Sequence, residues 1–403
     1  MNMNETPAAN RIHIAFLGRT NSGKSSLVNA VTGQNMSIVS DVKGTTTDPV
    51  YKAMELLPLG PVVIIDTPGF DDESSIGELR INRTKQVLNK TDAAVLVLDK
   101  ELPIGASISA EEELTNLIKA KNIPYIIVLN KNDLETPHNE ISGNEVLPVS
   151  AKTGFNINLL KEKIAALAVS EESNQQLVAD LVKPFDFVIL VIPIDKAAPK
   201  GRLILPQQQI IRGILEAGGA VIAVKNSELR QTLENLEKKP ALVITDSQVF
   251  AEVSSIVPDD IPLTSFSILF ARYKGFLETA VKSAFTLDSL KDGDNILICE
   301  GCTHHRQCDD IGTVKIPQLI KKYSLKEPLF VFSSGGDFPQ DLKPYKLIIH
   351  CGSCMLNNRE IHYRRNLAEE QNIPFTNYGI AIAHIQGILK RSIKIFNQDI
   401  KNE

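Results

Sequence analysis

The sequence predicts an α/β protein of several domains, in which parallel strands alternate with helices. Its 403 residues are too many for one ordinary hydrophobic core. Short apolar runs rich in β-branched residues alternate with helical stretches along the chain. All five cysteines fall between residues 299 and 354, which sets the last part of the chain apart from the rest.

The composition is that of a globular protein without a strong charge. Hydrophobic residues make up 43% of the chain and charged residues 23%, and the formal net charge is −5. An acidic balance of this size gives no general attraction for nucleic acid or anionic lipid, so neither is an expected partner. Residues 1–10 lack the segments of a signal peptide, and the longest apolar runs have strand length. We therefore expect a cytoplasmic protein without a membrane segment.

The first domain, predicted over residues 8–170, follows the pattern of a doubly wound sheet. Its apolar runs are continuous, which is typical of parallel strands that are buried on both faces. Helical stretches between these runs supply the crossovers. The predicted strands are 12–17, 62–66, 94–98 and 125–130, and the predicted helices are 25–31, 111–120 and 157–169.

A small α/β domain is predicted over residues 178–270. It has no recognisable chemistry, and its β-branched strands can pair within the chain or across a dimer, so we assign it to assembly. Its predicted strands are 185–194, 220–224 and 241–245, with a helix at 207–217.

A third domain, also α/β, is predicted over residues 271–403. Its cysteines fall at the carboxyl ends of the first and third predicted strands, where open α/β sheets bind ligands. Clustered cysteines in a chain that looks intracellular favour metal ligands over disulfides. The predicted strands are 295–299, 329–332 and 345–350.

A phosphate-binding loop connects the first predicted strand to the first helix. The segment Gly18-Arg19-Thr20-Asn21-Ser22-Gly23-Lys24-Ser25 matches the P-loop pattern, in the strand–loop–helix context that the motif requires. Backbone N–H groups of such a loop bind phosphates, Lys24 reaches the β and γ oxygens, and Ser25 holds Mg²⁺. The predicted nucleotide contacts in this segment are Asn21, Ser22, Gly23, Lys24, Ser25 and Ser26.

Four further loops complete the set of a domain that binds GTP and GDP. Segment 44–48 supplies a threonine, Asp66 a carboxylate for the metal, and Gly69 an amide for the γ-phosphate. Asp133 is placed to accept hydrogen bonds from guanine N1 and N2, which adenine lacks, so GTP is selected over ATP. The predicted base contacts are Asn130, Lys131, Asp133, Ser150, Ala151 and Lys152.

This set of loops resembles the TrmE and Era group of GTPases. Thr47 stands where that group has an arginine, and the resemblance makes Thr46 a magnesium ligand and, with Lys24 and Gly69, a predicted catalytic residue. Asn21 matches the asparagine that helps bind K⁺ in potassium-activated members, so potassium stimulation is a hypothesis.

Phe70 occupies the position after Gly69, where many GTPases have a glutamine that positions water. An apolar ring cannot orient a water molecule by hydrogen bonding. We therefore expect slow intrinsic turnover and a role as a switch.

The cysteines predict an iron–sulfur site. Cys302-Thr303-His304 and His350-Cys351-Gly352-Ser353-Cys354 bring three thiolates from two loops to one centre. Three thiolates leave one iron of a 4Fe-4S cluster open to another group. The candidates for that fourth position are His304, His350, Asp309, Asp310, water and an incoming ligand.

A zinc site is the alternative interpretation of the same region. Cys299 and Cys302 form one Cys-x-x-Cys pair, and Cys351 and Cys354 form another, which suits a closed tetrahedral site. Cys299 ends an apolar run and is also interpreted as a buried packing residue. Cys308 has no partner at a suitable spacing. With zinc, the protein would be a GTPase that acts in RNA modification or ribosome assembly.

The GTPase loops, combined with Cys302-x-His304 and His350-Cys351-x-x-Cys354, resemble the HydF family of hydrogenase maturation GTPases over the whole chain. The resemblance implies a GTPase domain, a dimerisation domain and an iron–sulfur cluster domain. It makes Cys302, Cys351 and Cys354 the ligands of a 4Fe-4S cluster, with His304 and His350 as further candidates. It also implies a homodimer that carries a di-iron subcluster precursor. The implied partners are the radical enzymes HydE and HydG and the apo form of [FeFe]-hydrogenase.

Overall fold

The fold divides into two compact units. Unit 1 consists of residues 1–172 and 357–360, and unit 2 of residues 173–356 and 361–403. The sequence-based bounds of three domains, 8–170, 178–270 and 271–403, stay a prediction. This computed structural model describes residues 6–34, 48–70, 75–99, 109–131, 140–141, 144–168, 176–194, 203–301 and 310–396.

Unit 1 contains a seven-stranded sheet in the order β2-β3-β1-β4-β5-β7-β6. Its strands are β1 (Ile12–Leu17), β2 (Val50–Leu56), β3 (Gly60–Asp66), β4 (Ala93–Asp99), β5 (Tyr125–Asn130), β6 (Glu140–Ile141) and β7 (Asn144–Pro148). Its helices are α1 (Lys24–Thr32), α2 (Ser75–Leu88), α3 (Ser109–Ala120) and α4 (Ile157–Ala168). The pairs β2–β3 and β6–β7 are antiparallel, and the pairs among β3, β1, β4, β5 and β7 are parallel.

The central strands of unit 1 are buried on both faces. On β1, Ile14 and Phe16 pack into one hydrophobic cluster, and Ala15 and Leu17 pack into the cluster on the opposite face. This two-sided burial explains why these strands are continuous apolar runs in the sequence. The parallel register also aligns the carboxyl ends of the strands, because Phe16 pairs with Asp66 and Asp99 pairs with Asn130.

Unit 2 contains two four-stranded parallel sheets, in the orders β11-β10-β8-β9 and β13-β12-β14-β15. The strands are β8 (Phe187–Val191), β9 (Ala220–Val224), β10 (Leu242–Thr245), β11 (Leu263–Ser265), β12 (Asn295–Glu300), β13 (Leu329–Ser334), β14 (Leu347–His350) and β15 (Phe375–Asn377). The helices of this half of the chain are α5 (Leu205–Glu216), α6 (Leu229–Asn235), α7 (Phe250–Ile256), α8 (Phe266–Tyr273), α9 (Leu277–Ala284), α10 (Ile316–Ser324), α11 (Asn358–Glu370), α12 (Tyr378–Ile385) and α13 (Leu389–Ile393).

One continuous core joins the two sheets of unit 2. Leu297 and Cys299 of β12 belong to the same buried cluster as Val188 of β8. The alternate residues of β12, Ile296 and Ile298, pack into a second cluster on the opposite face of their sheet. The two sheets therefore form one compact body.

No helix within the described residues is long and apolar enough to cross a membrane.

The α/β fold class predicted from the sequence is confirmed, and the strands and helices that were predicted fall within a few residues of those observed. Elements that the sequence did not reveal are short or lie on sheet edges. They include β2, the antiparallel edge strand of unit 1, and the short strands β11 and β15 of unit 2.

Candidate nucleotide site and cysteine turn

The phosphate-binding loop lies between the end of β1 and the start of α1. Gly23 precedes the first residue of α1 and has a positive φ of 84°. A Cβ atom at Gly23 would lie 2.2 Å from Nδ2 of Asn130. Only glycine satisfies both the backbone conformation and this close approach. This glycine leads into the start of α1, and the N-terminus of a helix is where free N–H groups can bind phosphate.

Lys24 places its ammonium group within this loop. The side chain is buried, and Nζ donates hydrogen bonds to the carbonyl oxygen of Gly18 at 3.1 Å and to that of Arg19 at 2.6 Å. The positive charge is thus held by the carbonyls of the loop itself. This is where the β and γ oxygens of a bound nucleotide would need a cation.

Ser25 and Asp66 form a pair suited to Mg²⁺. Ser25 Oγ donates to Asp66 Oδ2 at 2.7 Å, because β3 ends beside β1 and delivers the carboxylate to the start of α1. The other oxygen, Asp66 Oδ1, is buried and has no hydrogen-bond partner among the described residues. A buried carboxylate oxygen without a donor matches a site for a hard cation.

The segment after Asp66 is tied to the phosphate loop. A Cβ atom at Gly69 would lie 2.1 Å from Thr20 Oγ1, so the two loops approach too closely for any side chain there. The N–H of Phe70 donates to the carbonyl oxygen of Gly18 at 3.3 Å, and the Phe70 ring is buried in the hydrophobic core. The ring presents no hydrogen-bonding group to a nucleotide. Slow intrinsic turnover stays a prediction.

Asn130 links the phosphate loop to the loop that follows β7. Its Nδ2 donates to the carbonyl oxygen of Ser22 at 3.1 Å, and its Oδ1 accepts from the N–H of Ala151 at 3.2 Å. Ser150 is fully buried, and its Oγ accepts from the N–H of Thr153 at 3.1 Å. The fully folded unit therefore brings three loops together that are far apart in the sequence.

Other predicted contacts lie at the margin of this arrangement. Asn21 is exposed with a positive φ of 63°, and Lys131 is exposed with a positive φ of 61°. Ser26 is half-buried in the first turn of α1, and Lys152 is exposed. Thr46 and Asp133 lie outside the described residues.

An ion pair that the sequence did not indicate fixes the outer part of the phosphate loop. Arg19 Nε lies 2.5 Å from Glu111 Oε1, and Arg19 Nη2 donates to Glu111 Oε2 at 2.7 Å. Glu111 is in the first turn of α3 and is nearly buried. No sequence spacing signals a pair this far apart, because only the folded sheet places α3 beside the loop.

The second candidate site, in unit 2, is the turn after β14. Since β14 pairs with β12, Cys351 follows directly beside the end of β12, and its N–H donates to the carbonyl oxygen of Cys299 at 2.8 Å. The N–H of Gly301 donates to Sγ of Cys351 at 3.1 Å. Cys351 and Cys354 are both half-buried.

His350 supports this turn from beneath and is itself fully buried. Its Nδ1 lies 3.0 Å from the carbonyl oxygen of Cys351 and 3.1 Å from Ser353 Oγ. Its Nε2 lies 3.0 Å from Nη1 of Arg364. Because a guanidinium only donates, Nε2 is the acceptor and Nδ1 carries the proton. Burial, together with the charge of Arg364, lowers the pKa of His350 to about 3, so the ring is neutral.

Both ring nitrogens of His350 are therefore engaged inside unit 2. To ligate a metal, His350 would have to give up one of these contacts. Its role as a fourth ligand stays a prediction. Ser353 holds the turn in shape, because it is fully buried, has a positive φ of 58° and donates from Oγ to the carbonyl oxygen of Cys351 at 3.2 Å.

Cys299 touches this turn through its carbonyl oxygen, but its side chain belongs to the hydrophobic core. It is fully buried, and this burial raises the pKa of its thiol to about 12. This burial agrees with the interpretation of Cys299 as a packing residue. Burial also raises the pKa of the Cys351 thiol, but the N–H groups of Gly301 and Ser353 and the charge of Arg364 oppose that effect.

The remaining predicted members of the cysteine site, Cys302 and His304, lie outside the described residues, as do Cys308 and Asp309. In the part of the chain that the structure describes, no three histidine, cysteine or acidic side chains group closely enough to hold a metal. The turn nevertheless fits an iron–sulfur centre, because Cys351 Sγ already accepts the kind of N–H hydrogen bond that tunes such clusters.

Comparison with known proteins defines the class of unit 1. Residues 13–131 match the family model described as 50S ribosome-binding GTPase. The chain is 36% identical over 172 residues to GTPase Der of Wolinella succinogenes, which covers 39% of this chain and 36% of that protein. It is 34% identical over 188 residues to the tRNA modification GTPase MnmE of Endomicrobium trichonymphae, with 44% and 40% covered.

The chain thus spans about two-fifths of the length of these curated relatives, or slightly less. Among solved structures, Era from Aquifex aeolicus bound to GDP and AlF₄⁻ is 23% identical with a TM-score of 0.35, covering 53% of this chain and 93% of that one. The loops and the matched GTPase family make unit 1 a GTPase domain of the TrmE and Era superfamily.

The remainder of the chain identifies its family. Residues 177–275 match the model described as the hydrogen maturase F dimerization domain, and residues 278–395 match the hydrogen maturase F tetramerization domain. Together these two matches cover more than half of the chain. The chain belongs to the hydrogen maturase F family, HydF, and the resemblance stated from the sequence is confirmed.

Proposed function

We propose that this HydF protein is a GTP-hydrolysing scaffold that binds a 4Fe-4S cluster, assembles the di-iron subcluster precursor and transfers it to [FeFe]-hydrogenase. One observation carries the proposal. A GTPase domain shares its chain with a turn in which Cys351 Sγ accepts a backbone N–H and Cys354 follows three residues later. The matched hydrogen maturase domains support it, and HydE and HydG are the proposed sources of the precursor.

In the nucleotide reaction, water attacks the γ-phosphorus of GTP, the bond to the bridging β–γ oxygen breaks, and GDP leaves with phosphate. Lys24 neutralises the charge that develops on the phosphate oxygens, and the amide of Gly69 donates to the γ-phosphate. Ser25, Asp66 and Thr46 would hold Mg²⁺, which supplies charge stabilisation when bound. Loss of phosphate releases the contacts of Thr46 and Gly69, so their loops change shape.

At the cysteine site, Cys302, Cys351 and Cys354 would hold three irons of the cluster as thiolates. The bound cluster supplies an iron with an exchangeable position, at which the precursor can be held. The N–H of Gly301 stabilises the Cys351 sulfur in its anionic form. We propose that the GTPase loops change the contacts with partner proteins and take no part in electron transfer.

Metal and sulfide analysis tests the cluster. The full-length protein would be reconstituted anaerobically, analysed for iron, sulfide and zinc, and examined by EPR after reduction. We expect about four irons and four sulfides, with the signal lost in Cys302→Ala and retained in Cys308→Ala. One zinc without sulfide would instead support a GTPase of RNA modification or ribosome assembly.

Potassium dependence tests the role of Asn21. The exposed position of Asn21 in the phosphate loop is compatible with binding a monovalent cation. We expect phosphate release to be faster in K⁺ than in Na⁺ at equal ionic strength, and Asn21→Ala to remove that difference. Equal rates in both salts would leave Asn21 with a purely structural role.

Partner binding tests the switch. Affinities of the protein for HydE, HydG and apo-hydrogenase would be measured with GDP and with a non-hydrolysable GTP analogue. We expect at least one affinity to differ by roughly fivefold or more between the two nucleotides. If the affinity for each of the three partners is the same with both nucleotides, the mechanism is wrong.

We also propose that the protein associates with further copies of itself. The matched domains are described as dimerization and tetramerization domains, which supports oligomer formation in this family. The sheets of unit 2 are open at their edges. Among the described residues, β9 in one sheet and β13 in the other are edge strands that pair with a neighbouring strand on one side only. Such edges readily pair with another chain.

A further inference from the structure

Arg364 is the largest fully buried side chain in the described part of the protein. It lies on α11, where most of its helical neighbours are half-buried or exposed. A guanidinium cannot lose its proton inside a protein, so its full charge remains within the fold. A buried charge is costly unless its surroundings use it, which makes Arg364 a candidate for a functional role.

The contacts of Arg364 tie together three segments of unit 2. Its Nη1 donates to Nε2 of His350 at 3.0 Å, and its Nη2 donates to the carbonyl oxygen of Gly335 at 2.5 Å. The guanidinium carbon lies 5.1 Å from the ring centroid of Phe338. Arg364 thereby joins α11, the segment after β13 and the end of β14.

His350 connects Arg364 to the cysteine turn, because it contacts both Arg364 and Cys351. Because Arg364 makes Nε2 the acceptor, Nδ1 of His350 must carry the proton and can donate to the carbonyl oxygen of Cys351 at 3.0 Å. The ring therefore has one orientation and one tautomer. Replacing Arg364 would free the ring and loosen the residue that supports Cys351.

The charge of Arg364 also acts on the turn itself. Its electrostatic influence reaches both His350 and Cys351, where it favours the neutral ring and the thiolate. Glu300, nearly buried at the end of β12, acts on Cys351 in the opposite sense. Within the protein, such charges are screened far less than at the surface.

We propose that Arg364 is a positioning residue for the cysteine turn, and that its positive charge favours the reduced state of a cluster bound there. The inference rests on the proposed function, since it requires an iron–sulfur cluster on Cys302, Cys351 and Cys354. Reduction adds one electron and hence one negative charge to the cluster. A fixed positive charge nearby stabilises that product and raises the reduction potential.

The test is an EPR-monitored redox titration of the full-length reconstituted protein, with dithionite as the electron donor. In Arg364→Gln, which keeps donors but not the charge, we expect the reduction equilibrium to shift at least tenfold toward the oxidised form. For a one-electron step this is 59 mV. Arg364→Lys keeps the charge and should shift the equilibrium less than threefold.

The neighbouring Arg365 provides a matched control. It is half-buried, and its contacts are with Gly275 and Asn366, away from the cysteine turn. Arg365→Gln should leave the potential unchanged. If Arg364 only stabilised the structure, both Arg364 variants would bind less cluster, and their reduction potentials would be the same.

Three results of these measurements would overturn the proposal or the function on which it rests. The proposal would be overturned if Arg364→Gln binds a four-iron cluster whose reduction equilibrium differs less than threefold from that of the wild type. If Arg364→Gln does not fold, Arg364→Lys decides, because a tenfold shift despite the retained charge would equally overturn it. If the wild-type protein binds zinc and no sulfide, the proposed function fails first, and this outcome is distinct from either of the others.

Discussion

At the residue scale, Gly23 is tightly constrained in the nucleotide site. It combines a left-handed backbone with a contact that leaves no space for a Cβ atom beside Asn130. Asn130 in turn reaches both the phosphate loop and Ala151. A change at Gly23 is therefore expected to disturb the phosphate loop and the loop that contains Ala151 together.

Gly23→Ala should lower the affinity for GDP by more than tenfold, because the new Cβ atom displaces Asn130. Gly33→Ala is the control: Gly33 has a similar φ of 66°, but nothing lies within 4 Å of its added Cβ atom. Both variants should lose about 1–2 kcal/mol of stability from backbone strain. Calorimetric titration with Mg²⁺ and GDP separates them, and equal affinities in the two variants would contradict the steric explanation.

His13 should make unit 1 less stable in mild acid. Burial lowers its pKa from 6.5 to about 4, although Asp92 Oδ2 lies 3.8 Å from Nδ1. Between these values the unfolded chain binds a proton that the folded state does not, so stability falls as the pH decreases from 7 to 4. The expected loss is about 2 kcal/mol at pH 5.

The measurement for His13 is the midpoint of the GDP-sensitive thermal transition, followed by circular dichroism from pH 8 to pH 5. His13→Gln cannot titrate and should show a smaller decrease over this range. The other histidines are the same in both proteins, so their contribution cancels in the comparison. Parallel curves for the two proteins would show that His13 does not contribute.

At the element scale, β13 is the least protected strand of unit 2. It is an edge strand, and Leu329 is 58% exposed, with Val331 and Phe332 each 39% exposed. No charged residue or proline lies within β13, although natural edge strands commonly carry one or the other. A strand of this kind is expected to be covered in the assembled protein.

Val331→Lys should reduce self-association, because a charge on β13 opposes pairing with a second copy. Light scattering after size exclusion would show a smaller mass than for the wild type at the same concentration. Leu159→Lys, which alters an exposed leucine on α4 of unit 1, is the control and should leave the mass unchanged. An unaltered mass for Val331→Lys would exclude this strand from the interface.

At the scale of the whole molecule, each compact unit has its own hydrophobic core. Unit 1 packs on both faces of its seven-stranded sheet, and unit 2 has one core that spans both of its sheets. Each unit therefore meets the main physical requirement for independent folding.

A fragment of residues 1–172, which is unit 1 without residues 357–360, should fold and bind GDP with Mg²⁺ with an affinity within about threefold of the full chain. The reason is that the predicted nucleotide-binding residues, from Gly18 to Lys152, all lie within it. Cooperative thermal unfolding and calorimetric titration test this. The same fragment carrying Gly23→Ala is the control for specific binding, and an unfolded wild-type fragment would refute the prediction.

The sequence by itself determined the α/β class, the nucleotide loops and the family. These follow from local information: an apolar run of strand length, a glycine-rich loop before a helix, and cysteines at short spacing. Such patterns depend on neighbours in the chain, so one sequence is enough to detect them.

Only the tertiary structure decided how distant residues meet. The pairing of β12 with β14 brings Gly301 to Cys351, and the packing of α11 brings Arg364 to His350. The sequence presented His350 as a metal ligand candidate, whereas the fold surrounds it with Arg364 and Ser353. These contacts arise from burial and strand register, which depend on the whole core and leave no local signal in the sequence.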